Sequence, residues 1–357
     1  MKIQLKEHKV ICENKNSMYR YFAWPTVGKL QDGRLAMVAS GLRMSHLCPF
    51  GKVIICYSED EGKTWTLPAV LIDTPLDDRD GGICTFGENG VLVTSFSHHM
   101  AFMREFAKAH GSPREELINA HYDWLETNPD AEKIVGPMCV ISNDQGKSFG
   151  EIQPLPVTNP HGPCCLKDGS MLLVGNEMFV TDGEKFLKCY RIQPDGSYEY
   201  LGSIENDTGM AFEEPHAIQL ESGKIIVHIR VQDDKGLFTT FQSNASLSDL
   251  KFSKPRQILS DRGGAPAHLL KHSSGALIST YGYRAEPFGV RAMISYDDGK
   301  TWSKDHVIYD NKGITADLGY PSSVELSDGR ILTIYYAHPE SARKPAVIMQ
   351  TIWSIEE

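Results

Sequence analysis

Ser58-Glu59-Asp60-Glu61-Gly62-Lys63-Thr64-Trp65 and Ser295-Tyr296-Asp297-Asp298-Gly299-Lys300-Thr301-Trp302 are two copies of one pattern, S-x-D-x-G-x-T-W. Ser142-Asn143-Asp144-Gln145-Gly146-Lys147-Ser148-Phe149 is a conservative third, and Ser243 to Phe252 reads as a decayed fourth. The Asp side chain bonds backbone amides, Gly takes the strained φ, and the aromatic ring packs beneath the turn. This is turn chemistry between two outer strands, and no reaction is expected of it.

A second pattern keeps the same period. Six polar turns end in Gly between apolar runs: Gln31-Asp32-Gly33, Glu88-Asn89-Gly90, Lys167-Asp168-Gly169, Glu221-Ser222-Gly223, Ser273-Ser274-Gly275 and Ser327-Asp328-Gly329. Asp-Gly and Asn-Gly predict two-residue hairpins, flanked by strands such as Ile225-Ile226-Val227 and Ile331-Leu332-Thr333. The glycine spacings are 57, 79, 54, 52 and 54 residues, so a four-stranded unit of about 54 residues recurs. The long interval holds Ser112-Pro113-Arg114-Glu115, a capping box, followed by Leu117, Ile118, His121, Trp124 and Leu125 at helical spacing. The fold class is therefore all-β, a six-bladed β-propeller forming one domain over 1–357, with a helical insertion at about 100–133 inside blade 2. The insertion is expected to cover part of the mouth or to form a homo-oligomer contact through Phe102, Phe106 and Trp124.

Composition narrows the function. The 357 residues carry 36 Lys+Arg against 46 Asp+Glu, a net charge of −10, and no basic run, which argues against nucleic acid or an anionic membrane as partner. No apolar run approaches the roughly 20 residues of a membrane helix. The start, MKIQLKEHKV, has no apolar core, so a cytoplasmic chain is expected, with its eight cysteines reduced. No cofactor is expected, and no tight His spacing marks a metal site.

The propeller repeat brings one end of every inner hairpin to a common mouth. There stand Trp24, Asp78-Arg79-Asp80, His161, Glu214, His216, His268, Asp317 and Tyr320 before the turns. After the turns come Arg43, His98-His99, Glu177, Arg230, Arg284 and His338. Arginines, histidines, carboxylates and a phenol together suit anion binding and proton transfer.

The Asp boxes and the six hairpins together resemble the sialidase (neuraminidase) superfamily over nearly the whole chain outside the insertion. The resemblance implies an exo-glycosidase releasing an acidic monosaccharide from an acidic mono- or oligosaccharide ligand. Tyr320 stands where sialidases hold their nucleophile, and Glu214, sixteen residues before Arg230, resembles its base partner. A carboxylate nucleophile would repel the substrate's own carboxylate, and sialidases are an exception to the two-carboxylate pattern of glycosidases. Arg230 and Arg291 resemble members of the carboxylate-binding arginine trio, and Arg43 an arginine lining the pocket. Arg79 binds substrate or is tied up by its acidic neighbours. His216, His99, Glu177 and Asp317 complete the expected substrate-facing set. Two departures matter. Ala23 occupies the place of the family's first arginine, in Tyr21-Phe22-Ala23-Trp24-Pro25, and the family's acidic Asp after the first hairpin is missing. His46 and Asp78 are the rival proton donors. Two other classes stay open: a polysaccharide lyase acting on uronic-acid glycans, and a glycan-binding propeller without catalysis.

Overall fold

The computed structural model describes residues 2–110, 114–178, 186–259 and 263–356. It contains six four-stranded antiparallel sheets, the expected propeller. Blade 1 is Tyr21–Lys29, Leu35–Arg43, Lys52–Ser58 and Ala69–Ile72, from the axis outward, and blades 2 to 5 repeat this order. Blade 6 is assembled differently. Its inner strands are Gly319–Glu325, Ile331–Ala337 and Val347–Glu356, and its outermost strand is the N-terminal Lys2–Cys12. That strand pairs from Lys2↔Glu356 to Cys12↔Ile348, which closes the ring.

The innermost hairpins depart from the predicted two-residue turns. In blade 1 the Gly33 amide donates to the Leu30 carbonyl (3.0 Å) and the Leu30 amide to Arg34 (2.8 Å), with Gly33 at φ 90. This is a three-residue loop, a turn followed by one left-handed residue that only Gly adopts cheaply. The same bonding recurs at Leu166/Gly169, Leu220/Gly223, His272/Gly275 and Leu326/Gly329. Blade 2 differs: Gly87 has φ 55, and Gly90 pairs with Phe86.

The Asp boxes lie between third and fourth strands. Asp60 accepts from the Thr64 amide (2.8 Å) and hydroxyl (2.7 Å), and the Gly62 amide donates to Ser58 (2.8 Å). Asp144 and Asp297 repeat the arrangement. The box tryptophans also clasp the preceding blade. Trp65 Nε1 donates to Gln350 and Trp302 Nε1 to Gln242, both at 2.9 Å, and each amide returns a bond to the box Gly carbonyl at 3.0 Å. Gln350→Leu should therefore destabilise the chain by about 1–3 kcal/mol, since it orphans a partly buried indole N–H and a buried carbonyl. Chemical denaturation measures it, and no change in midpoint would refute the clasp.

Between blade 2 strands Gly90–Ser97 and Gly136–Ser142 lie helix α1 (Met100–His110), helix α2 (Glu115–Glu126) and a 3₁₀ turn (Pro129–Glu132). Helix α2 starts at Glu115, preceded by Arg114 at φ 55, whose side chain makes no capping bond. Ser112 and Pro113, the expected cap and first turn, lie outside the described residues. Ile118, Tyr122 and Leu125 of α2 pack with Met103 and Leu76, and Met44, Leu47 and Phe50 pack against this cluster. The insertion thus supports the loop that follows the first hairpin. Among the described residues no helix is long and apolar enough to cross a membrane.

Candidate functional site

One backbone device aims side chains at the axis. In five blades the pairing of the inner hairpin skips near its mouth end: between Ala23/Thr26, Arg79/Gly82, Glu213/His216, Gly264/Ala267 and Gly319/Ser322. The bulge residues Trp24, Asp80, Glu214 and Tyr320 have φ of 53, 46, 43 and 47. Pro25, Pro215 and Pro321 follow three of them, and a residue with no N–H to give the ladder fits a bulge. Left-handed backbone at four non-glycine residues is costly, and such strain collects at functional sites.

The four bulges form one cup. The Tyr320 hydroxyl donates to Glu214 Oε1 in a short hydrogen bond, across a sequence separation of 106. Arg230 Nη1 reaches Glu214 Oε2 and lies 3.2 Å from the Tyr320 oxygen. Burial, with the Glu214 carboxylate beside it, pushes the Tyr320 phenol well above its ordinary value against the pull of Arg230 and Arg284. It stays protonated until a base takes its proton, and Glu214 is in place to do so. Burial disfavours the Arg230 charge, but Glu214 and Tyr320 hold its pKa above the ordinary value.

The second arginine beside Tyr320 is Arg284, not Arg291. Arg284 lies 5.5 Å over the Tyr320 ring, donates to the Tyr336 hydroxyl (3.3 Å), and shares the Phe238 ring with Arg230 (5.4 and 4.5 Å). Arg291 is on the third strand of blade 5, paired with Asp305 and stacked 3.4 Å over Tyr283. The reading misplaced it because position before an Asp box marks an outer strand, whereas the cup is built at the ends of inner hairpins.

Arg43 is also corrected. It is 0% exposed, and its guanidinium meets Asp77 (2.6 and 2.9 Å), Ser40 (2.7 Å) and the His46 carbonyl (2.9 Å), leaving nothing to offer a substrate. Burial pushes the Asp77 carboxyl up, but Arg43 and Arg79 hold it below the ordinary carboxylate range. Arg79 is only partly engaged: it bonds the His46 carbonyl (3.0 Å), lies 3.3 Å from Asp77, and stacks 4.4 Å over Trp24.

Asp78 does not face the cup. Its carboxyl takes the Thr74 amide (2.8 Å) and hydroxyl (2.6 Å), and burial pushes its pKa up to about 7. Its neighbour Asp80, which the repeat places at the mouth but to which no role was given, is the one that enters the cup. It occupies the bulge position, its buried Oδ1 has no hydrogen-bond partner among the described residues, and burial lifts its pKa to about 6, with Arg79 opposing and Glu214 adding. The shared bulge phase with Trp24, Glu214 and Tyr320 was the available signal. A raised acid pKa means the folded state holds its proton more tightly, so stability falls as pH rises from about 4 through 7. Asp78→Asn should therefore raise stability at pH 8 by roughly 1–3 kcal/mol and leave it unchanged at pH 4. Melting curves at both values check this; a loss at pH 8 would refute it.

At the rim, Asp317 gathers the hydroxyls of Tyr21 and Tyr336 (both 2.9 Å) and His338 Nε2 (3.0 Å), with His46 Nδ1 at 3.4 Å. Burial pushes the Asp317 carboxyl up, yet the bonds to His338 and His46 hold it well below the usual range. The other expected contacts lie elsewhere. Glu177 pairs with Lys188 (2.7 Å). His99 is exposed just before α1, its carbonyl accepting the Met103 amide. His216 is buried, its Nδ1 accepting the Leu269 amide (2.9 Å) of blade 5, so it ties adjacent blades together. It stacks on His268 (4.2 Å), and His161 stands 5.6 Å from it and 6.2 Å from the Tyr320 ring. Burial keeps all three imidazoles neutral, His161 down to about 3. Among the described residues no group of three or more His, Cys, Asp or Glu side chains is placed to hold a metal ion.

No protein-family model and no curated protein matches the chain. Solved structures do. A protein of unknown function from Dyadobacter fermentans aligns at 20% identity with a TM-score of 0.78, over 99% of both chains. A variant of the NanB sialidase from Streptococcus pneumoniae aligns at 13% and 0.69, over 98% of this chain and 70% of that one. The intramolecular trans-sialidase from Ruminococcus gnavus aligns at 11% and 0.68, over 97% of both. At these identities the likeness is one of fold: a sialidase-like six-bladed propeller.

Proposed function

We propose that the chain is a glycoside hydrolase acting on an acidic sugar through a tyrosine nucleophile. The Tyr320–Glu214–Arg230 contact carries this reading, because blades 4 and 6 meet there, through strained backbone at Glu214 and Tyr320, to make one phenol–carboxylate–guanidinium group. The phenol attacks the anomeric carbon as the glycosidic carbon–oxygen bond breaks, its own proton passing to Glu214 and the leaving oxygen taking a proton from an acid at the mouth, so that a tyrosyl–sugar intermediate forms and the aglycone departs as an alcohol. Water then attacks that carbon as its bond to the Tyr320 oxygen breaks; one proton of the water restores the acid spent in the first step, and the phenolate recovers its own from Glu214. Arg230 and Arg284 flank the phenol and suit a substrate carboxylate, since charged bidentate bonds are strong in a partly buried site. Asp80 suits a sugar hydroxyl, as a carboxyl that gives or takes a hydrogen bond near neutral pH. The sialidase-like neighbours support the carbohydrate class, and eight cysteines without disulfides agree with a cytosolic setting.

Fluorogenic glycosides of sialic acid, of uronic acids and of neutral galactose test the reading. Release from an acidic sugar but not from galactose is expected. Turnover that leaves an ultraviolet-absorbing unsaturated sugar would replace hydrolysis with elimination, and binding without turnover would make the cup a lectin site. Arg284→Ala should raise KM for an acidic substrate about 10–100-fold, the loss of one charged hydrogen bond or two. Arg291→Ala should change it less than about twofold, because that guanidinium lies on an outer strand. The reverse pattern would restore Arg291 to the clamp.

A further inference from the structure

His46 is held with more care than a rim residue needs. Its carbonyl accepts from both Arg43 (2.9 Å) and Arg79 (3.0 Å), and those arginines are themselves pinned by buried Asp77. Its ring stands edge-on to Trp24 at 4.8 Å. Its Nδ1 lies 3.2 Å from the Tyr21 hydroxyl and 3.4 Å from Asp317. Its loop rests through Met44, Leu47 and Phe50 on the packed helices of the insertion. Yet 51% of the side chain is exposed. A buried framework that fixes one imidazole by its backbone and one ring nitrogen leaves Nε2 as the atom presented to the mouth.

Resting on the glycosidase reading, we propose that His46 Nε2 exchanges the proton with the leaving-group oxygen, and that Asp317 is its positioning residue. In the first step the Nε2 proton passes to the glycosidic oxygen as the carbon–oxygen bond breaks, while the Tyr320 oxygen bonds the anomeric carbon and its proton goes to Glu214. In the second step neutral His46 takes a proton from the attacking water as the bond to Tyr320 breaks, and both groups return to their starting states. Asp317 fixes which ring nitrogen is free, as carboxylate partners of histidine do.

The groups facing His46 are Asp317 and Tyr21 at Nδ1, Trp24 at the ring, and Arg79 and Arg43 behind the carbonyl, with His338 across Asp317. Burial and the two arginines lower the His46 pKa, and Asp317 opposes them. The glycosylation step therefore weakens as pH rises past a value below the ordinary 6.5.

The test compares a sugar–sugar linkage with the 4-nitrophenyl glycoside of the same acidic sugar. In His46→Ala, kcat/KM should fall roughly 10²–10⁴-fold on the former and less than about fivefold on the latter, whose leaving group needs no proton. Equal losses on both would overturn the assignment. Asp317→Asn should retain the fold by melting, lower kcat on the natural linkage, and move the alkaline limb of the pH profile downward. Ring titration of His46 by NMR gives a readout independent of turnover: its pKa should drop in Asp317→Asn, and an unmoved titration would overturn the pairing. A wild type that cleaves neither substrate overturns the glycosidase reading and the leaving-group role with it, while the titration still judges the dyad.

Discussion

Tyr320→Phe should reduce turnover of an acidic glycoside by at least about 10³-fold while leaving affinity for the free acidic monosaccharide within about twofold. The substitution removes one oxygen and keeps the ring that packs against Trp24, His161 and Tyr336. Glu214 keeps its bond to Arg230, so no charge is stranded. Losing the nucleophile of a covalent mechanism costs most of the rate, because water must then attack without the intermediate. Steady-state kinetics and calorimetric titration measure the two quantities. Residual activity above about a tenth of wild type would remove the phenol from the reaction, whereas loss of binding would mean that the hydroxyl holds the ligand.

Arg43→Met should cost about 3–5 kcal/mol of stability, because it leaves the buried Asp77 carboxylate with Arg79 at 3.3 Å as its remaining cation and the Cys48 amide at 3.2 Å as its remaining neutral donor. A double change, Arg43→Met with Asp77→Leu, should recover most of that loss, since a buried pair replaced by apolar groups is often neutral. Urea denaturation of the wild type and these two variants decides this. A single variant as stable as wild type would show that Arg43 is free to serve a ligand after all. The same variant should lower activity beyond its effect on folding, as the His46 carbonyl loses one of its two donors.

Repetition is what the sequence shows best. Glycine spacing and the Asp boxes placed five of the six blades as inner-to-outer hairpins, and Glu214 and Tyr320 fell where the period puts strand starts. The sixth blade was illegible in one respect: Lys2–Cys12 alternates like any edge strand, and nothing local reveals that its partner lies more than 300 residues away. Side-chain direction was harder. Asp77, Asp78, Arg79 and Asp80 are consecutive, yet one is locked between arginines, one turns to Thr74, one stacks on Trp24 and one enters the cup. A bulge shifts the alternation of a strand by one residue, so period-two reasoning fails at the very positions that face the axis. The tertiary ring partners of Arg284 and Asp317 could not be read from spacing at all.

The pairing of Lys2–Cys12 with Val347–Glu356 has a consequence for biosynthesis. Lys2–Cys12 leaves the ribosome well before its partner and has to wait, unmatched, until that later strand has been made. Bringing it home closes a loop of some 340 residues, and the associated entropy grows as the logarithm of that length. Docking of this segment is then the event that closes the ring, and a nascent chain stalled before residue 347 should hold residues 2–12 open to protease attack.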